Sequence, residues 1–519
     1  PADRGPLVSV RHWFDRAADL PGAPRAHLLQ VTPLEWRPLA EDMFASAGRL
    51  LALWVTGDSA PALRVSVAFA ATEGLLVVEL LLASAAEGYP GLEKAFPAST
   101  RMQRAAADLT GVRSTDPDLR PWLRHAAWPE SFRPLLDATV PDSPATPAVD
   151  RYPFVRVGGE GVHEIPVGPV HAGIIEPGHF RFSIVGEKVL WLEERLAYTH
   201  KGIERRFTEL PILEGHRLAA RVSGDSAVAF SWAYCQALEG MAGVIVPPRA
   251  AWLRALCLEL ERIANHLGDL GALGNDAGFS FGLAQFSRLK ELLLRTTERA
   301  LGQRYLLDAV VPGGLRSDLA PETASALRRE VEELRSEVER LRHIYDEHSG
   351  VRDRFVGAGC VEPALAARLG LTGLAGRASG QAFDLRVDLP WFPYAELAPV
   401  KCTNSEGDVA ARVAVRFDEL FESCRLVQRI LDGMPAGEHR TPVSEPAEDS
   451  AGIGVIEGWR GPVLVALEAG APGRIRRCHP HDPSWQNWPA LEHAIHGNIV
   501  PDFPLINKSF NLSYSGHDL

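Results

Sequence analysis

No two of the six cysteines (Cys235, Cys257, Cys360, Cys402, Cys424, Cys478) stand two residues apart, which excludes a zinc-type Cys-x-x-Cys cluster and offers no disulfide framework. Reduced cysteines in packed positions are the expectation. Long hydrophobic runs are missing as well. The longest apolar stretch, Gly74 to Ala86, is broken by Glu79 and falls short of the ~20 residues that cross a bilayer. Pro1-Ala2-Asp3-Arg4-Gly5 leads into His12, Asp15 and Arg16 without an apolar core, so no cleaved export signal is expected and a cytoplasmic location is the default. Positive charge is also in deficit. At a net charge of -12 the chain shows no basic face for phosphate backbones, which argues against a nucleic-acid partner.

What is present is ordinary globular material: 519 residues, 46% hydrophobic and 23% charged, with twelve tryptophans, enough for more than one hydrophobic core. Residues 1–136 read as a small α/β domain. Thr32-Pro33-Leu34-Glu35 is a capping-box pattern with proline at the first helical position. Arg49 to Thr56, Leu63 to Phe69 and Leu75 to Leu82 then read as strands, with Gly57-Asp58-Ser59 and Thr72-Glu73-Gly74 as turns. The prolines at 141, 144 and 147 disfavour helix and ladder alike, placing a linker at residues 137–150. The main domain, 151–519, opens β-rich. Phe180 to Val185 alternates into a Gly186-Glu187 turn, with Val189-Leu190-Trp191-Leu192 as its hairpin partner. Helical stripes follow at steps of three and four: Leu253, Leu256, Leu260, Ile263, Leu267 and Leu270; then Leu327, Val331, Leu334, Val338, Leu341 and Tyr345; then Val413, Phe417, Leu420, Cys424, Val427 and Leu431. Charges opposite them, such as Arg328-Arg329-Glu330, read as solvated surface.

A run of short motifs carries more specific information. Gly168-Pro169-Val170-His171 and Glu176-Pro177-Gly178-His179-Phe180-Arg181-Phe182 come first, then Tyr198-Thr199-His200-Lys201-Gly202-Ile203-Glu204, Ala233 to Glu239 and Leu260 to Leu267. Pro312-Gly313-Gly314-Leu315-Arg316, Arg377-Ala378-Ser379-Gly380 and Glu406-Gly407-Asp408-Val409 follow in order. In this order they resemble the large subunit of membrane-bound group 4 nickel–iron hydrogenases, of formate hydrogenlyase and hydrogenase-4 type, and the homologous quinone-site subunit of respiratory complex I. The first third, with Tyr89-Pro90, Phe96-Pro97, Asp116 to Arg120 and Trp128-Pro129, resembles more weakly the companion subunit fused in front in such complexes. The resemblance implies an α+β protein: a small N-terminal α/β domain, a β-rich segment, and a large helical-bundle domain of hydrogenase large-subunit type. It also implies partners, namely a small subunit holding an iron–sulfur cluster, a ferredoxin-like subunit and ion-translocating membrane subunits. That arrangement puts the chain at the cytoplasmic side of the cell membrane, peripheral and without a span of its own.

In the hydrogenase relatives two Cys-x-x-Cys pairs hold nickel and iron, because thiolates suit these soft ions far better than alcohols do. Here the four corresponding positions are Ser223, Ser226, Ser513 and Gly516, so no metal is expected in this chain. A non-standard metal held by Asp225, His517 and Asp518 is the lesser alternative. The complex I branch uses the same cavity for quinone. Its histidine matches His171, its tyrosine position falls at or beside Gly224, and Tyr514 stands near if the C-terminal segment folds back; Asp225 belongs to the same wall. Glu176 resembles the hydrogenase's proton-moving acid, Glu204 lies in the adjacent motif, and Arg377 would approach the old cavity or pair with Asp384 or Asp388. The implied function is a redox-complex subunit with its nickel–iron site lost and its cavity open to a quinone, coupled to ion translocation. The alternative is a non-catalytic scaffold joining the iron–sulfur arm to the membrane module.

Overall fold

The computed structural model describes residues 9–57, 63–126, 128–139, 141, 151–171 and 175–519. Most of the expected linker 137–150, and the turn residues Asp58 and Ser59, lie outside the described residues. The N-terminal strands are β1 (Ala18–Asp19), β2 (Ala26–Val31), β3 (Arg49–Thr56), β4 (Leu63–Ala70) and β5 (Leu75–Leu82). They lie in the order β1-β2-β5-β4-β3, with β2 parallel to β5 and the other pairs antiparallel. The capping box forms: helix Pro33–Ala45 begins with the Glu35 carboxylate accepting the Thr32 N–H at 3.0 Å. A second helix, Ser99–Thr110, packs on this sheet and ends at Gly111, whose φ of 79° gives the left-handed cap.

β6 (Val162–Val167), β7 (His179–Val185) and β8 (Lys188–Arg195) form an antiparallel three-stranded sheet that contains the expected hairpin. The three stripes then become the helices Pro248–Asp276, Pro321–Glu347 and Val409–Gly433. Every stripe residue from Leu253 to Leu270 is buried, at roughly 1.5–3 kcal/mol each. Burial on Pro248–Asp276 extends beyond the stripe to Glu259 and Arg262, so this helix is enclosed nearly all round rather than on one face. Arg328 and Glu333, by contrast, sit on the solvated face as their pattern implies. The short pair β9 (Val310–Val311) and β10 (Gly314–Leu315) precedes a last sheet of β11 (Ala451–Glu457), β12 (Pro462–Ala469) and β13 (Ile475–His481).

That last sheet lies against helix Ala227–Met241 at a distance only glycine permits. A Cβ on Gly454 would stand 1.8 Å from the Ala233 carbonyl oxygen. The same sheet reaches back to the N-terminal one: Ile453 pairs with Gly22, the Thr56 hydroxyl donates to Glu468 at 3.1 Å, and Arg477 donates to the Val55 carbonyl at 3.2 Å. A continuous apolar cluster runs through both parts. Four cysteines are packed as expected; Cys402 is half-buried and Cys360 is exposed, because its loop carries it to the surface. Among the described residues no helix is long and apolar enough to cross a membrane.

Candidate functional site

Four segments separated widely in sequence meet around the hydroxyls of Ser223 and Ser513. Ser223, Gly224 and Asp225 occupy the turn before helix Ala227–Met241, Arg460 sits in the β11–β12 turn, Asp482 precedes helix Ser484–Ala494, and Ser513 caps the C-terminal helix Tyr514–Asp518. The hydroxyls of Ser223 and Ser513 are hydrogen-bonded to each other at 2.9 Å, and Ser223 also donates to Asp225 at 2.8 Å. Ser513 accepts the Gly516 N–H at 2.8 Å, so its oxygen is engaged as a helix cap. The two serines thus form a buried hydroxyl pair. Three hydroxyls and a glycine do not match what nickel and iron take, and among the described residues no group of three or more His, Cys, Asp or Glu is placed to hold a metal.

Charge is arranged around this pair. Arg460 grips Asp225 with both terminal nitrogens, at 2.7 and 2.5 Å. Burial alone would raise the Asp225 carboxyl; the guanidinium outweighs it and holds the group below its ordinary value. Asp482 is opposite in behaviour. Burial raises it, and its Oδ2 has no hydrogen-bond partner among the described residues. Gly516 leaves room for that oxygen: a Cβ there would stand 2.6 Å from Asp482 Oδ2 and 2.8 Å from Ser513 Oγ. Gly516→Ala should therefore destabilise the fold by about 1–3 kcal/mol despite alanine's better helix propensity, measurable as a lowered urea midpoint.

Beside Gly224 and Asp225 lies a cleft of about 130 Å³. Leu260, Ala264, Leu294 and Leu306 give it an apolar wall, and nothing stands within 4 Å of where a Gly224 Cβ would be. Glu261 lines it too. Its carboxylate accepts the backbone N–H groups of Val228 and Ala229 at 2.7 and 3.4 Å, capping the helix in place of Ser226, whose non-extended backbone leaves its hydroxyl out of that role. Burial pushes the Glu261 carboxyl up to about 8, with Asp225 adding to the shift.

The first loop meets the C-terminal segment, as the resemblance implies. His171 Nε2 lies 2.7 Å from the Gly178 carbonyl, Gly178 backs onto the Tyr514 ring, and Glu176 accepts the Ser515 N–H at 3.3 Å. Tyr514 packs on Trp488 and its hydroxyl accepts from Asn507 at 3.4 Å. Neither His171 nor Tyr514 lines the Gly224 cleft, so the expected single ligand wall divides in two. Glu204 and Arg377 are held elsewhere. Glu204 is bonded to Arg477 at 2.7 Å and His479 at 2.6 Å, under the N-terminal sheet. The Arg377 guanidinium does not approach the old cavity; it is engaged by Glu419 at 2.7 Å and Glu457 at 2.9 Å, with Asp384 at 3.9 Å, while Asp388 pairs with Lys401. His517 and Asp518 bond to each other at 2.8 Å, and Asp518 also accepts from Thr199. Residue pattern alone misses Arg460, Asp482 and Glu261. Glu261 is inside a quoted motif, but nothing in its spacing distinguishes a buried helix cap from a surface glutamate.

An α+β fold with a helical bundle and a β-rich opening sheet, carrying the sequence motifs in order, is that of a large subunit of the hydrogenase and complex I class. The family described as respiratory-chain NADH dehydrogenase, 49 Kd subunit, matches residues 276–451. Formate hydrogenlyase subunit 5 of Escherichia coli is 31% identical over 83% of this chain and 77% of its own length. The C/D subunit of NADH-quinone oxidoreductase from Bacteroides thetaiotaomicron is 28% identical over 68% of each chain. Among solved structures, a chain of the membrane-bound sulfane sulfur reductase, an archaeal respiratory membrane complex, superposes with a TM-score of 0.65 at 24% identity, covering 69% of this chain and 99% of that one. The chain belongs to the large-subunit family that formate hydrogenlyase shares with NADH–quinone oxidoreductase.

Proposed function

We propose that this chain is the peripheral large subunit of a membrane-bound redox complex of complex I or hydrogenase-4 type, that its nickel–iron site is lost, and that the cleft at Gly224 receives a quinone-type acceptor. Its partners on this reading are an iron–sulfur small subunit, a ferredoxin-like subunit and ion-translocating membrane subunits. The observation that carries it is the Ser223–Ser513 hydrogen bond at the ligand positions beside an open, largely apolar cleft. Electrons would come from the partner's cluster, and an acceptor taking two electrons also needs two protons. Asp225, kept ionised by Arg460, and Glu261, held near neutrality by burial, are two carboxyls whose surroundings push them apart, the pattern expected of an acceptor pocket that exchanges protons. His171 and Tyr514 then border the site from the loop side rather than touching the head group.

The scaffold reading draws support from the same packing, because Gly516, Asp482 and the serine pair fill the place of the metal. Elemental analysis of the intact purified complex, with a quinone-analogue reduction assay, separates the two. Iron without nickel, together with reduction abolished by Gly224→Phe while the complex stays assembled, is the expected result. Nickel at one per chain would overturn the lost-site reading. An intact complex with full clusters and no acceptor reduction makes the chain a scaffold.

A further inference from the structure

Away from this site, a concave pocket of about 270 Å³ opens between helix Ser99–Thr110 and the loop that follows it. Five arginines reach its wall (Arg104, Arg113, Arg120, Arg124 and Arg133) against three acids, in a chain whose net charge is -12. Two of the acids are fully engaged. Asp108 Oδ2 accepts the backbone N–H groups of Trp122, Leu123 and Arg124 at 2.6, 2.8 and 3.1 Å. Asp118 lies between Arg104 at 3.1 Å and Arg120 at 2.8 Å, and Arg120 reaches on to Glu193 at 2.5 Å. The third acid, Glu130, is 81% exposed and 3.8 Å from Arg124.

Three guanidiniums are left without a close carboxylate. Arg113 is exposed and makes no side-chain hydrogen bond or ion pair with any described residue. Among the described residues the Arg124 guanidinium has only the distant Glu130. Arg133 donates to the carbonyls of Glu130 at 2.5 Å and Phe132 at 3.1 Å, and lies beneath Gly111, where a Cβ would be 2.7 Å from its Nε. Arg104 comes from the helix and the other four from the loop that follows it, and the absent side chain at Gly111 leaves space for Arg133. A concave wall with like charge concentrates the field in the pocket, and guanidinium forks match the oxygens of a phosphate.

We propose that this pocket binds a phosphate group, held by Arg113, Arg124 and Arg133, supplied either by a soluble phosphate compound or by the head group of an anionic phospholipid. The test is calorimetric titration of the full chain with inorganic pyrophosphate and co-sedimentation with vesicles of phosphatidylglycerol or of phosphatidylcholine. Both probes are repeated on Arg113→Ala/Arg124→Ala, two side chains that anchor no backbone, with thermal melting as the control for folding. The expected result is pyrophosphate binding by the native chain, weakened by about tenfold or more in the variant at an unchanged melting temperature. Sedimentation with phosphatidylglycerol alone, lost in the variant and without pyrophosphate binding, assigns the head group as the source. Binding of neither probe, or equal binding by both proteins, overturns the proposal; a variant that no longer melts cooperatively is replaced by Arg113→Gln, for which the same loss is required.

Discussion

Replacing Arg377 with methionine is expected to cost the fold about 3–5 kcal/mol, seen as a large drop in the urea midpoint or as failure to accumulate soluble protein. Arg377 is completely buried. Its Nε donates to Glu419 and one terminal nitrogen to Glu457 and to the Phe383 carbonyl, at 2.7, 2.9 and 3.0 Å. The other Glu419 oxygen is held by His266 at 3.0 Å. Methionine would fill similar space while leaving Glu419 and Glu457 without the cation between them in an interior of low dielectric, where unpaired charge is far more costly than in water; Asp384 would keep Arg386 at 2.7 Å. Glu457 already shows the pressure: burial, with Asp384 beside it, pushes its carboxyl up to about 7 even with the arginine in place. Arg328→Met is the matched control. Its pair with Asp432 is half exposed, and its loss should change stability by less than about 1 kcal/mol. Equal midpoints for the two variants would show that the buried cluster does not depend on its arginine.

Three of the long helices are legible because a stripe of apolar residues at steps of three and four leaves little choice of element, whereas a fourth, Ser280–Leu301, is not among the stripes read; the capping box at Thr32 is legible because both partners are local. The strand from Leu63 to Phe69 is readable by alternation and those at Arg49–Thr56 and Leu75–Leu82 as apolar runs between turns, but the parallel pairing of β2 with β5 is not, since pairing depends on a crossover through helix Pro33–Ala45. The sheet β11–β13 escaped for a related reason. Its strands are buried on both faces, so they alternate poorly, and Gly452 and Gly454 look like breakers until the helix backbone is seen against them. At the site, the resemblance points to Ser223 and Ser513, yet the hydrogen bond between them joins residues 290 positions apart. Arg460 is as remote from Asp225, at 235 positions, and stands in a turn with no pattern of its own. Glu204 and Arg377 were singled out as chemical residues because a motif names residue types without their direction; their surroundings turn both inward to structural partners.

For Glu204 that inward turn has a pH signature. Burial raises its carboxyl, but Arg477 and His479 outweigh burial and bring it from 4.5 down to about 2. A carboxyl more acidic in the folded chain than in the unfolded one binds fewer protons in the native state. Its contribution is therefore complete above the unfolded value and is lost as pH falls from about 4.5 toward 2. A shift of this size corresponds to about 3 kcal/mol. Urea unfolding at a series of pH values should show the native chain losing that stability across the window, while Glu204→Gln, already weaker at pH 7, shows a shallower acid limb. A difference between the two proteins that stays constant from pH 5 to about pH 2 would sink the assignment. The effect belongs to the joint between the two sheets, because Arg477 also holds the Val55 carbonyl at 3.2 Å and His479 stacks on Trp54 with ring centres 5.3 Å apart. The native carboxylate itself is protonated only at the acid end of that window, near pH 2, so near-ultraviolet tryptophan signals of the folded chain should stay constant while stability falls and change only there.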